Sequence, residues 1–345
     1  MALESTAVSL FLWNASAGFK FTHALFCHAT LVQRHKGTTS GTGFVAARTV
    51  AKLNGEVILL NRPSSRSTAS LEKLKEAVPN GKFVAIDCDL QDFASVRKAC
   101  EEIKSKYSSI YCLSNNAGIM ATPDEITGDG FDKQMQTNHL SHFLLSKELF
   151  PLLEASSKEC GDARIVQHSS LARHGTANKT LEEKYFSKQE KDGMLGGFSE
   201  DSPVGGPQWE RYSQTKLANS VFCQCLNNKI SSSTDENKKN ILSLCAHPGL
   251  SKTNLGNHLK FGLLAKILFM PIMSLIAQSA DDGSMGLIKA MMDTRDNLEG
   301  GALYGPKGVA GYAVALPPKP HETDPKSQTM IWTKSEEAIG ASFDI

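Results

Sequence analysis

The sequence has almost no net charge: 37 Lys and Arg face 36 Asp and Glu, leaving +1. It therefore lacks the basic footprint of a nucleic-acid-binding chain. It also lacks an apolar run of the ~20 residues that a membrane-spanning helix needs. The nearest approach, residues 261–277, is interrupted by Lys266 and Pro271. None of the eight cysteines forms a Cys-x-x-Cys, and Cys223-Gln-Cys225 has no zinc-type partner, so neither a bound metal nor a disulfide framework is expected. Cys88, Cys112 and Cys245 close apolar runs and are expected as buried thiols in a reducing compartment. Residues 1–28 lack periodicity, and Glu4 stands where a secretory signal wants positive charge. They are expected to form a poorly ordered extension. Their Ser, Ala and Phe content with a single acid leaves a cytoplasmic or an organelle-associated placement open.

What is present is an ordinary folding composition, 41% hydrophobic and 21% charged over 345 residues, enough for one large α/β domain. Apolar runs and helical patterns alternate. Strands are expected at Ala29–Val32, Glu56–Leu60, Lys82–Leu90, Ser109–Ser114, Ala163–Ser170, Asn240–Ala246 and Gly300–Tyr304. Helices are expected from the glycine loop to about Leu53, then over Phe93–Lys106, Phe131–Leu153, Tyr212–Asn228 and Ser279–Met292. This order predicts a Rossmann-type doubly wound parallel sheet with helices on both faces, a single domain over 29–345. Residues 171–208 read as a substrate-loop insertion and 250–277 as a lid. The stretch 228–239 reads as a solvated turn, and Ser327–Ile339 as a peripheral tail.

The first strand leads through Gln33-Arg-His-Lys36, polar for a central strand, into Gly37-Thr-Thr-Ser40-Gly41-Thr42-Gly43. Glycines there let a pyrophosphate approach the backbone, and the helix N-terminus that follows offers unpaired N–H groups. The end of the second strand chooses the nucleotide: an acid would bind the ribose 2′-hydroxyl of NAD, and an Arg suits the 2′-phosphate of NADP. The chain has Asn61-Arg62 and then Arg66, with no acid, so Arg62 is the expected clamp and NADP is favoured over NAD. Asp89 at the exit of the third strand can accept from an adenine amino group and Leu90 can cover the ring; Asp89 or Asp92 could instead cap the next helix. Asn116, Ala117 and Gly118 in Asn115-Asn-Ala-Gly118 are small enough for backbone contact with a ligand. Pro248 and Gly249 force a turn after the sixth strand, and Thr253 could hold a carboxamide or phosphate.

Tyr212 and Lys216 lie four residues apart, on one face of a helix. An ammonium next to a phenol is expected to lower its pKa from near ~10 toward working pH, which makes the pair an acid/base candidate. Ser170 emerges at the carboxyl edge of the sheet. Asn138 falls mid-helix, where Asn is unfavourable, so a side chain or water interrupting the helix ladder is expected there. His139 and His142 have no third ligand and read as packed histidines.

The ordered set Gly37-x-x-x-Gly41-x-Gly43, Asp89-Leu90, Asn115-Asn-Ala-Gly118, Asn138, Ser170, Tyr212-x-x-x-Lys216, Pro248-Gly249 and Thr253 resembles the short-chain dehydrogenase/reductase family over residues 37–345. The stretches 137–145, 212–219 and 300–306 are similar to its retinol-dehydrogenase and WW-domain-oxidoreductase branch. The resemblance implies that Tyr212 exchanges a proton with the substrate oxygen. Lys216 would lower the phenol pKa and hold the nicotinamide ribose. Ser170 would bind the substrate oxygen, and Asn138 would hold a water linking Lys216 to solvent. A lipophilic alcohol or carbonyl is the implied substrate; peripheral membrane contact and homo-oligomerisation stay open. Two departures stand out: the polar 33–36 segment before the first glycine, and the long segment between Ser170 and Tyr212. The alternatives are an NADP-binding interaction module without catalysis and an enzyme like protochlorophyllide reductase.

Overall fold

The computed structural model describes residues 29–32, 41–199, 205–251 and 277–345. Among these residues eight strands form one sheet in the order β3-β2-β1-β4-β5-β6-β7-β8. They are β1 (Ala29–Val32), β2 (Glu56–Asn61), β3 (Lys82–Asp87), β4 (Cys112–Asn115), β5 (Ala163–His168), β6 (Ile241–Ala246), β7 (Leu303–Gly305) and β8 (Val314–Leu316). The first seven pair in parallel; β8 returns antiparallel to β7. β1 pairs with both β2 and β4, so the polar residues after it do not prevent a central strand. Glycine-loop residues Gly37 and Ser40 lie outside the described residues, as do Thr253 and most of the expected lid.

A parallel sheet must be covered on both faces, and its strands then read as continuous apolar runs. β5 and β6 are buried at every position. On one face, α1 (Thr42–Lys52), α2 (Ser65–Ala77) and α8 (Ala280–Met292) bury Val50, Leu74, Leu287 and Met291 against Val57, Leu59 and Leu244. On the other, α3 (Phe93–Lys106), α5 (Ser141–Cys160) and α6 (Pro207–Ser231) bury Val96, Leu149 and Val221 against Ile58, Leu113 and Ile165. The strand order reverses between β1 and β4, so the crevice at their carboxyl ends is where ligands bind in such sheets.

Several expectations need correction. The helix expected from Phe131 to Leu153 is instead a short α4 (Lys133–Met135), a π-helical turn (Gln136–Leu140) and α5, which runs on to Cys160. The ladder is interrupted at Asn138 by a π turn, in place of the inserted side chain or water expected there. The stretch read as a solvated turn holds the end of α6 and a short α7 (Glu236–Lys239). β8 was not anticipated. The tail read as peripheral is α9 (Pro325–Ile339), capped by Asp324 and ended by Gly340 at φ +66°. It buries Ile331 and Trp332 and, with Phe343, closes an aromatic cluster with Phe143 and Phe150. Half-buried Lys334 and exposed Glu337 on the same helix mask that apolar face in the sequence.

Candidate active site

Tyr212 and Lys216 face inward from the first half of α6, and both are buried. Pro207 sits in the first turn of this helix and fixes its start. Ser170 follows β5 and caps the 3₁₀ turn Leu171–His174, its hydroxyl accepting from Ala172 N–H at 3.2 Å. The same hydroxyl lies close enough to the Tyr212 phenol to favour its phenolate. Lys216 Nζ donates to the His168 carbonyl at 2.9 Å, beside Asn219 Nδ2 at 3.0 Å on the same oxygen, and lies 5.8 Å from the Tyr212 ring centre.

Burial dominates the titration of both groups. It pushes the Tyr212 phenol up to about 12, with the nearby Ser170 hydroxyl pulling the other way. It pulls the Lys216 ammonium down to about 8. The expectation that Lys216 lowers the phenol pKa is therefore not met: losing water costs the phenolate more than these contacts return.

Asn138 occupies the π turn. Its Nδ2 donates to the Ile119 carbonyl at 2.8 Å and to Thr215 Oγ1 at 2.9 Å, and its Oδ1 accepts from Ile119 N–H at 2.8 Å. Thr215 Oγ1 in turn donates to the Tyr212 carbonyl at 2.7 Å. A Cβ added at Gly118 would lie 3.3 Å from Asn138 Oδ1 and 3.4 Å from Lys216 Nζ, so only a glycine leaves that surface open beside Lys216. His139 and His142 are fully buried and held down to about 3 by burial; they are packed histidines.

The nucleotide residues fall along the same sheet edge. Gly41 caps α1, with Thr42 and Gly43 in its first turn. Thr42 Oγ1 donates to Asn116 Oδ1 at 3.3 Å, joining that turn to the end of β4. Arg62 Nη1 lies 3.9 Å from Asp89 Oδ2. Asp89 Oδ1 accepts from Gln91 N–H, while Asp92 caps α3. Ala117 is buried. Leu90 is turned into the core, 1% exposed, where it packs rather than facing the edge. Gly249 adopts φ +61°, and a Cβ there would meet Pro306 Cγ at 2.7 Å. Its glycine is thus required by the fold. Pro248 accepts at its carbonyl from Ser251 and Gln278. Ser170, Tyr212, Lys216, Asn138 and Gly118 come together; Arg62 and Asp89 form a separate group.

Sequence reasoning missed Thr215, Asn219, Arg173 and Glu322. Thr215 and Asn219 lie within the Tyr212 motif, at positions facing the same side of α6. Arg173 and Glu322 carry no local signal.

Residues 36–181 match the profile of the short chain dehydrogenase family. The chain is 31% identical to short-chain dehydrogenase TIC 32 A, chloroplastic, of Brassica napus over 252 residues, 72% of each chain. This protein belongs to the short-chain dehydrogenase/reductase family. It is also 31% identical to mouse retinol dehydrogenase 14 over 244 residues, 68% of this chain and 65% of that one. The NADPH-bound carbonyl reductase from chicken fatty liver shares the fold at a TM-score of 0.55 and 22% identity, covering 84% of this chain and all of that one. As a family member the protein is an oxidoreductase related to retinol dehydrogenases. Among the described residues no helix is long and apolar enough to cross a membrane.

Proposed function

We propose that this reductase interconverts a lipophilic alcohol and its carbonyl compound with NADP(H). The observation that carries the reading is the buried pair Tyr212 and Lys216, one helical turn apart, with Ser170 beside the phenol. The nicotinamide would supply or accept the hydride. Tyr212, protonated at neutral pH, gives its proton to the carbonyl oxygen as negative charge develops there. Ser170 donates to the same oxygen and stabilises that charge. Lys216 holds the nucleotide ribose and, while protonated, adds positive charge beside the phenol. Asn138 fixes the 118–119 backbone and Thr215 beneath Lys216.

The nucleotide would lie along α1 from Gly41 to Gly43, past Asn116, Ala117 and Gly118, toward Pro248 and Gly249. The open face at Gly118 fits a ribose against Lys216. Arg62 would bind the 2′-phosphate and Asp89 the adenine amino group; the name of the chicken enzyme supports NADPH, and retinol dehydrogenase 14 supports an apolar substrate. Residues 29–345 form the catalytic domain, with 171–208 at the substrate mouth. A screen of retinoid, steroid and aliphatic carbonyls and alcohols with NADPH, NADH and their oxidised forms tests the reading. Turnover with NADPH and an apolar aldehyde or ketone is expected; tight NADPH binding with no turnover across the panel would contradict it.

A further inference from the structure

We propose that Arg173 and Glu322 are positioning residues that hold Ser170 in place, so that the C-terminal segment is part of the catalytic apparatus. The inference rests on the reading of Ser170 given above. Arg173 lies three residues after Ser170, in the 3₁₀ turn that Ser170 caps. Its Nη1 donates to the Ser170 carbonyl at 2.9 Å, and its Nε donates to Glu322 Oε1 at 2.7 Å. Both side chains are buried, 5% and 4% exposed. Glu322 ends the 3₁₀ turn Pro320–Glu322 beyond β8, and its Oε2 accepts from Lys319 N–H at 2.7 Å. His174 Nδ1 meets His321 Nε2 at 2.8 Å beside the pair. Burial holds both imidazoles below their usual range, so near neutral pH the pair faces neutral neighbours there.

A buried ion pair is an expensive way to join two loops, because desolvation can cancel the attraction. Here the guanidinium does a second thing: it adds a second donor to the Ser170 carbonyl, which already accepts from Arg173 N–H at 3.1 Å, and so pins the peptide plane that follows Ser170. The Ser170 hydroxyl accepts from Ala172 N–H and lies beside the Tyr212 phenol. Rotating that peptide would carry Ala172 N–H away from the hydroxyl and release it from its position toward the substrate oxygen, and small misplacements of this kind can cost about 100-fold in rate.

The test is a double-mutant cycle on kcat. The neutral pair Arg173→Met with Glu322→Gln keeps an acceptor for Lys319 N–H and leaves no unpaired buried charge. It is made in the wild type and in Ser170→Ala. Arg173→Lys is made in the same two backgrounds; it keeps the charge, and the same comparison decides the question if the neutral pair does not fold. In the wild-type background kcat should fall about 10–100-fold while the NADPH Kd stays within about two-fold. In Ser170→Ala the same changes should cost less than about two-fold more, because their target is already gone. Equal losses in both backgrounds would mean a merely structural pair and would overturn the inference while the oxidoreductase reading stands. A wild type that turns over nothing would instead remove that reading and this inference with it.

Discussion

Asn138 Nδ2 donates to the Thr215 hydroxyl at 2.9 Å, and that hydroxyl passes the connection to the Tyr212 carbonyl at 2.7 Å. A three-member chain thus ties the π turn to the helix that carries the phenol. Thr215→Val keeps the shape and removes both bonds. It should cost about 1–2 kcal/mol in urea denaturation and lower kcat more than it raises the substrate KM. Thr215→Ser should restore most of the rate. A Val variant with wild-type kcat would show that the chain does not position Tyr212.

Arg62 is the cation expected at the 2′-phosphate, and it stands within 3.9 Å of Asp89. Arg62→Asp should weaken NADPH binding about 10–100-fold, the worth of a charge-assisted contact, and should leave NADH binding nearly unchanged or improved. Fluorescence titration with the two nucleotides measures it. Equal losses for both would place the phosphate contact elsewhere.

Acid should destabilise the fold. Burial holds His139, His142 and His247 down to about 3, and His168 well below its usual range. In the unfolded chain each imidazole takes up a proton below ~6.5. Between about pH 3 and 6.5 the unfolded state therefore binds more protons, and stability falls as pH falls. Each group contributes about 1.4 kcal/mol per pH unit well below 6.5. Asp132 acts in the opposite sense, since burial pushes its carboxyl up to about 6 and the native state then gains protons between about pH 4 and 6. One carboxyl against several imidazoles leaves a net loss. The urea midpoint should drop from pH 7.5 to 5.5, less steeply in His139→Gln. An unchanged midpoint would contradict the burial of neutral imidazoles.

The sheet was legible because β2 and β6 are largely apolar runs bounded by turn residues, which a parallel sheet demands. Asn138 was legible as an anomaly: an unfavourable residue in a helix pattern called for an inserted side chain or water, and the ladder is disturbed there by a π turn instead. The direction of the Tyr212 pKa was not legible. Spacing shows an amine four residues away, but not the burial that outweighs it. α9 was hidden because Ile331 and Trp332 acquire meaning only against Phe143 and Phe343, brought together by the whole chain. Arg173 and Glu322 are 149 positions apart, and no local pattern joins them. Short β8, three residues long, carries too little periodicity to be seen.

The proton of Tyr212 carries the central claim, and one substitution isolates it. Tyr212→Phe removes the phenol oxygen and keeps the ring that packs edge-on against Trp209 at 6.0 Å. Single-turnover reduction of an apolar carbonyl with NADPH should fall at least about 100-fold, the scale of a lost general acid, while the NADPH Kd is unchanged. A Phe variant that reduces the carbonyl at the wild-type rate would contradict the account.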